Sequence, residues 1–353
     1  MAEVAQSGRT MVAVEAVRAG GPEVLRVSSA IAVPVPGKGE VRVRIAAASV
    51  NPIDVRRRGG HGRRVFSLIG AAKFPLVLGN DFAGVVDAVG RGVDQWRPGQ
   101  RVFGCKAASR LGTHAQFAVV PAAQLLATPD TLDDAEAASL PYAFVTAWRA
   151  VTDGLDCRRE DLHGRSVLVH GGAGAVGSTA VRLLVRRGAR VTISGRRADP
   201  QCAEALGADG TLDLRESAAP RAVPGFDAIV NCAAYEDEPA LLRLLRPDSI
   251  GLASVVHPLL ALLDSHGWVS GALAARREWR KHAALVRATG GRHYRWVVFK
   301  PDSAAMLELA AMLQSGALGA AVGAIIPLER AAEAHARVER GGAAGKTVLA
   351  IPQ

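Results

Sequence analysis

At 353 residues, 49% of them hydrophobic, the chain has enough apolar mass for two cores, and its 5% aromatic content means pockets walled largely by aliphatic groups. The formal charge of +10 raises nucleic acid as a partner, but the arginines are dispersed in short runs and the only lysines are Lys38, Lys73, Lys106, Lys281, Lys300 and Lys346, so no nucleic-acid binding stripe is expected. No apolar run approaches a membrane span, and the first ten residues hold Glu3 and no apolar core, so a cytoplasmic chain without a leader is expected.

In chain order, residues 11–17 and 25–27 alternate like strands around Gly20, Gly21 and Pro22. The loop at 34–40 delivers a strictly alternating strand at 41–45. Residues 85–90 and 100–104 bracket a turn at Arg97, Pro98 and Gly99, and 115–120 add a further strand. The first 125 residues or so are therefore mostly β, and from Asp133 onward helices and strands alternate as in a doubly wound α/β unit.

The most informative stretch is residues 167–178, where an apolar run breaks into glycines and resumes as helix. Gly172 allows a tight turn, Gly174 lets backbone approach a phosphate, and Gly177 lets the helix pack close to its strand. Gly172, Ala173, Gly174, Ala175, Val176 and Gly177 thus form a pyrophosphate cradle at a helix N-terminus. A second strand at 190–194 ends in Ser194, Gly195, Arg196 and Arg197. A hydroxyl and two guanidiniums there suit a 2′-phosphate, which favours NADP (NADPH) over NAD, with nearby Asp199 as the opposing signal. Further strands are expected at 227–230 and 249–253, helices at 304–313 and 328–340, and a closing strand at 346–351. Cys105, Cys157, Cys202 and Cys232 form no Cys-x-x-Cys pair and the histidines are dispersed, so neither a disulfide frame nor a metal site is expected.

The residues 79–86 (Gly-Asn-Asp-Phe-Ala-Gly-Val-Val), the turn and strand at 97–102, Ala137 to Pro141, and Leu206, Gly207, Ala208 and Asp209 follow one another in a familiar order. With them the chain resembles the zinc-free quinone oxidoreductase branch of the medium-chain dehydrogenase/reductase superfamily over essentially its whole length. Residues 293–296 and 338–348 resemble the reticulon-interacting NADPH oxidoreductases within that branch. The resemblance implies an α/β fold: a GroES-like β domain over residues 1–135, completed by 300–353, with a Rossmann doubly wound parallel sheet domain at 136–299 and an active site in the cleft between them. It implies a small-molecule quinone or enone substrate, and a homodimer joined through the Rossmann sheets.

The resemblance also assigns roles. Zinc alcohol dehydrogenases place a cysteine ligand where this chain has Asn51 and Gly-His-Glu where it has Gly79, Asn80 and Asp81, so direct hydride transfer without zinc is expected. Pro52 holds Asn51 extended, and the Asn51 amide is expected to donate to a carbonyl oxygen or to the cofactor carboxamide; Asp54 is expected to N-cap residues 55–58. Tyr142 and Thr146 would flank the nicotinamide, with Tyr142 or solvent as proton donor and a hydrogen bond to its own turn as the alternative for Thr146. Tyr294 and Arg295 would close over the cofactor, a surface ion pair being the alternative for Arg295. Ala173, Ala175 and Leu214 stand where the family usually has serine, glycine and an adenosine-side tyrosine, and Asn80 stands where arginine is common. The competing readings are a 2-enoyl thioester or enone reductase of secondary metabolism, and an NADPH-binding regulatory protein with little catalysis.

Overall fold

The computed structural model describes residues 8–158, 160–214 and 225–353. Residues 1–7, with Glu3 on which the leader expectation rests, lie outside them. The chain divides into two compact units, Met1–Tyr142 with Pro301–Ala311 and Gly319–Gln353, and Ala143–Lys300 with Met312–Leu318.

The first unit holds β1 (Thr10–Ala16), β2 (Leu25–Ala32), β3 (Glu40–Val50), α1 (Pro52–Arg58), α2 (Arg63–Ser67), β4 (Leu76–Val77), β5 (Asp81–Val89), β6 (Arg101–Cys105), β7 (Phe117–Pro121), β8 (Leu125–Ala127) and α3 (Asp134–Ser139). Next, α4 (Pro141–Arg149) carries the chain into the second unit, which contains β9 (Ser166–His170), α5 (Ala175–Arg186), β10 (Arg190–Ser194), α6 (Pro200–Leu206), β11 (Gly210–Leu212), β12 (Ala228–Asn231), α7 (Glu238–Leu242), β13 (Gly251–Ser254), α8 (Leu259–Ala288) and β14 (His293–Trp296). The chain then runs through α9 (Ser303–Gln314), β15 (Val322–Pro327), α10 (Ala331–Arg340) and β16 (Lys346–Ala350).

In the first unit, β3 is the organising strand. Val41, Val43 and Ile45 point into the core, while β5, β7 and β16 all pair with β3 antiparallel. The closing strand β16 lies against the end of β3, with Thr347 opposite Val50, so Lys346 comes level with Asn51 although they are far apart in sequence. The unit extends to Tyr142, beyond the expected boundary at residue 135, because α3 packs on β3, β5 and β16.

The second unit is a six-stranded parallel sheet in the order β11-β10-β9-β12-β13-β14. Renumbered within the unit this is 3-2-1-4-5-6, whose direction reverses between β9 and β12. Val167, Leu168 and Val169 of β9 are wholly buried, as a strand covered on both faces requires. The sequence reading placed no element on α8 or β14. Gly267 (φ 80°, ψ −176°) breaks α8 into two helices, and its apolar residues, Val269 and Leu273 among them, are partly turned to solvent, so no single apolar stripe announced it. Among the described residues, no helix is long and apolar enough to cross a membrane.

Candidate active site

In the first unit, a buried polar cluster forms where β3 ends and α1 begins. Asn51 is the N-cap of α1 and Pro52 its first residue, a position where the missing N–H costs nothing. Asp54 is therefore not the N-cap. It stands three residues in and completes a capping box, its carboxylate accepting from the Asn51 amide N–H at 2.8 Å and from the Gly79 N–H at 3.0 Å.

The Asn51 side chain is only 2% exposed and fully engaged within the unit. Its Nδ2 donates to Asp81 Oδ2 at 3.0 Å and to Ser49 Oγ at 3.3 Å, and its Oδ1 accepts from Lys346 Nζ. The expectation that this amide donates to a substrate or cofactor oxygen is thus corrected, because both its N–H groups are spent. Asp81 further accepts from the Ser49 hydroxyl and, at 2.6 Å, from the Tyr142 backbone N–H. Burial pushes the Asp81 carboxyl above the usual carboxylate range against the pull of Lys346, and burial pushes the Lys346 ammonium down against the pull of Asp81. Half-buried Tyr142 has its phenol pushed well up by burial first and by Asp54 and Asp81 next, so it keeps its proton through neutral pH. Asn80 donates from Nδ2 to the Lys106 carbonyl at 2.9 Å.

In the second unit, β9 runs into the glycine loop and α5. The left-handed residue of the turn is Gly171 (φ 81°), a position outside the Gly-x-Gly-x-x-Gly pattern. Gly172 serves packing instead, since a Cβ there would lie 2.6 Å from Ile193 Cγ2. A Cβ on Gly177 would lie 2.1 Å from the Gly171 carbonyl oxygen, whereas one on Gly174 would approach that oxygen only to 3.3 Å. Gly174 is the N-cap of α5, and no side chain caps this 12-residue helix. Uncapped N–H groups beside exposed Gly174 and Ala175 and half-buried Ala173 and Val176 fit a pyrophosphate.

The residues beyond β10 separate into two groups. Arg196 and Arg197 are exposed, and Asp199 caps α6 by accepting from the Cys202 N–H at 2.7 Å. Ser194, in contrast, is wholly buried, its Oγ 2.9 Å from His170 Nδ1, so it does not face a 2′-phosphate. The parallel register places Ser194 beside His170, whose Nε2 lies 2.8 Å from Asp237 Oδ2. Leu214 packs against the core that contains Leu168 and Leu252.

Tyr294 is also corrected, and for Arg295 the structure shows the alternative, an ion pair. Tyr294 is 4% exposed and donates to Glu238 Oε2 at 2.6 Å, with His282 Nδ1 2.9 Å from its oxygen. Arg295 donates to the Asp153 carbonyl at 2.6 Å and pairs with Asp156 at 3.3 Å. Tyr294 thus serves the inside of the second unit, whereas the Arg295 side chain is 42% exposed and forms an ion pair at its surface. Thr146 is buried on α4. Sequence reasoning missed His170, Ser49 and Lys346. A lone lysine opening an apolar closing strand was the one available signal for Lys346.

Residues 37–130 match the alcohol dehydrogenase GroES-like domain, residues 206–349 the zinc-binding dehydrogenase family, and residues 167–242 the NAD dependent epimerase/dehydratase family. The zebrafish (Danio rerio) protein named NAD(P)H oxidoreductase RTN4IP1, mitochondrial, is 31% identical over 346 residues, covering 94% of this chain and 89% of that protein. Human quinone oxidoreductase is 28% identical over 357 residues, covering 99% of this chain and 100% of that one. Among solved structures, the quinone oxidoreductase from Coxiella burnetii superposes with a TM-score of 0.79 over 97% of this chain and all of that one, at 22% identity.

Proposed function

The chain belongs to the medium-chain dehydrogenase/reductase superfamily of oxidoreductases, and from that membership we propose that it is an NADPH-dependent, zinc-independent reductase of quinones or conjugated enones. The observation that carries the reading is the glycine cradle at the reversal point of the parallel sheet, followed at the end of the next strand by Arg196 and Arg197. Bound there, NADPH would supply a hydride to an acceptor already activated by conjugation.

The residues would divide the work. The uncapped first turn of α5 would hold the pyrophosphate, and Arg196 and Arg197 would hold the 2′-phosphate through forked donors. Asp199 is tied to α6 as its cap through one carboxylate oxygen, which supports the reading that the arginines and not this acid meet the ribose. Leu214 gives only apolar contact near the adenosine. Tyr142, held protonated, would donate to the oxygen that gains charge as the acceptor is reduced. Thr146 would flank the nicotinamide. Asn51 is reassigned as a positioning residue, which clamps Lys346 to Asp81 and so fixes the backbone amide of Tyr142. With Asn51 and Asp81 already engaged by an ammonium, the cluster supports chemistry without zinc.

The test is loss of absorbance at 340 nm with NADPH, then NADH, against benzoquinone, phenanthrenequinone, a 2-alkenal and crotonyl-CoA, for wild type and for Arg196→Ala with Arg197→Ala. Oxidation of NADPH by a quinone or the alkenal is expected, with the double variant raising KM for NADPH far more than for NADH. Equal effects on the two cofactors would sink the 2′-phosphate assignment, and turnover with crotonyl-CoA alone would replace the quinone reading by an enoyl thioester reductase.

A further inference from the structure

Helix α1 buries a cation that the proposed reaction does not use. Arg57 is 2% exposed, and its Nη2 donates to the carbonyl oxygens of Ala71 and Ser109, each at 3.0 Å. Its guanidinium carbon lies 5.0 Å from the centroid of the Phe66 ring. Nε and Nη1 are buried and have no hydrogen-bond partner among the described residues. Asp54, the carboxylate whose charge reaches Arg57, is spent on the amides of Asn51 and Gly79. A buried cation with unused donors is costly unless something brings it a partner.

Arg57 forms part of the wall of a recess completed by Gly60, His61, Arg63, Phe66, Ala71 and Phe74. The recess measures about 10 Å³, room for the centre of one water-sized atom. A water there would satisfy a donor but leave the charge uncompensated. A free inorganic anion would meet the charge but waste the two phenylalanine faces.

We propose that this recess receives one carboxylate oxygen of a small organic acid, whose apolar body lies along Phe66 and Phe74, with exposed Arg63 adding a second positive charge. Arg57 lies on the helix that Asn51 caps, and Asn51 bonds Asp81, which in turn holds the Tyr142 backbone N–H, so one polar cluster fixes both the recess and Tyr142 and the organic acid is taken to be the acceptor substrate itself. Only this last step rests on the reductase reading.

Binding is tested apart from turnover. Benzoate, its neutral counterpart benzamide, and acetate are titrated calorimetrically into the full chain as wild type, Arg57→Met and Arg57→Lys, with circular dichroism melts to check folding. Benzoate should bind wild type at one site, benzamide should not, and acetate should bind far more weakly. Arg57→Met should weaken benzoate by about tenfold or more, the size of one lost charge-assisted hydrogen bond, and Arg57→Lys should retain part of the affinity. Absence of benzoate binding to wild type, or its survival in a folded Arg57→Met, overturns the site. Acetate binding as tightly as benzoate overturns the organic acid in favour of a small-anion site.

Turnover is then compared between 4-phenylbut-3-en-2-one and its 4-carboxyphenyl analogue with NADPH. The preference in kcat/KM for the acid should fall by about tenfold in Arg57→Met. If benzoate binds through Arg57 but neither enone is reduced, the site stands and the reductase reading fails. If both enones are reduced equally by wild type, the acceptor assignment is overturned.

Discussion

Lys346 Nζ donates to Asn51 Oδ1, tying the first residue of the last strand to the cap of the first helix, while its charge lies 3.5 Å from the buried carboxylate of Asp81. The three groups hold one another, since the amide of Asn51 spans the ammonium and the carboxylate. Removing one charge should leave the other buried and unpaired. Lys346→Met is therefore expected to cost about 3 kcal/mol or more, read from denaturant or thermal unfolding. Adding Asp81→Asn should recover much of that loss, so the double variant costs less than the sum of the single ones. Additive losses would show that the ammonium does not neutralise Asp81.

The glycine cradle separates two effects that one motif usually confounds. A methyl group on Gly177 would meet the Gly171 carbonyl oxygen at 2.1 Å, and that neighbour is backbone, which cannot swing away. Gly177→Ala should lower the melting temperature and abolish NADPH binding together. At Gly174 the same oxygen is 3.3 Å away, φ is −81°, and the residue is exposed. Gly174→Ala should melt near wild type, within about 1 kcal/mol, yet bind NADPH at least about tenfold more weakly by fluorescence titration, because its methyl group stands where phosphate must approach. If Gly174→Ala binds normally, the pyrophosphate does not sit on this turn.

These contrasts show what was legible in the sequence. The strand, glycine turn and helix of the second unit obey local rules, so six consecutive residues from Gly172 could be placed in a cradle before any fold was known. The same rules cover the cap at Asp199, three residues before the N–H that it caps, although beside the motif it reads as an acid opposing NADP. They do not reach Lys346 and Asn51, which meet only because β16 closes against β3. Nor could they tell that Ser194 turns inward to His170, a choice set by the strand's neighbour in the sheet. Tyr294 was similarly hidden, because its partner Glu238 belongs to a different layer of the unit. A resemblance carried it to the cofactor, and packing takes it to the core.

Tyr142 offers a cleaner test of chemistry. Burial, with Asp54 and Asp81 adding to it, holds its phenol well above the ordinary range, so in the proposed role it would donate a hydrogen bond without giving up its proton at neutral pH. Tyr142→Phe keeps the ring and the backbone N–H to Asp81. Loss of the hydroxyl should lower kcat by about tenfold to a hundredfold, with the NADPH dissociation constant unchanged. The wild-type rate should show no loss attributable to a phenol between pH 6 and about 9, given an ordinary tyrosine pKa of about 10. A fall in kcat near pH 8 that Tyr142→Phe abolishes would mean that the residue ionises, and the donor role would be withdrawn.

Lys106 gives the first unit a pH signature of its own. Its Nζ donates to the Leu111 carbonyl at 2.8 Å, and burial lowers its pKa to about 8, with Glu40 pulling it up and Arg57 pushing it further down. In the unfolded chain the same amine titrates near about 10.4. Between these values the unfolded state binds more protons than the folded one, so unfolding free energy rises with pH across that window. Below about pH 8 both states are protonated and the cost of burying the charge is felt in full; above about 10.4 neither is protonated and the cost is gone. Replacing the amine by an apolar chain of similar length removes the titration, so Lys106→Met should gain most over wild type at pH 6 to 7. That advantage should shrink by on the order of 2 kcal/mol as the pH approaches 10, since groups common to both proteins cancel in the difference. A gap between the two unfolding midpoints that stays constant from pH 6 to 10 would show that Lys106 titrates like an ordinary surface lysine.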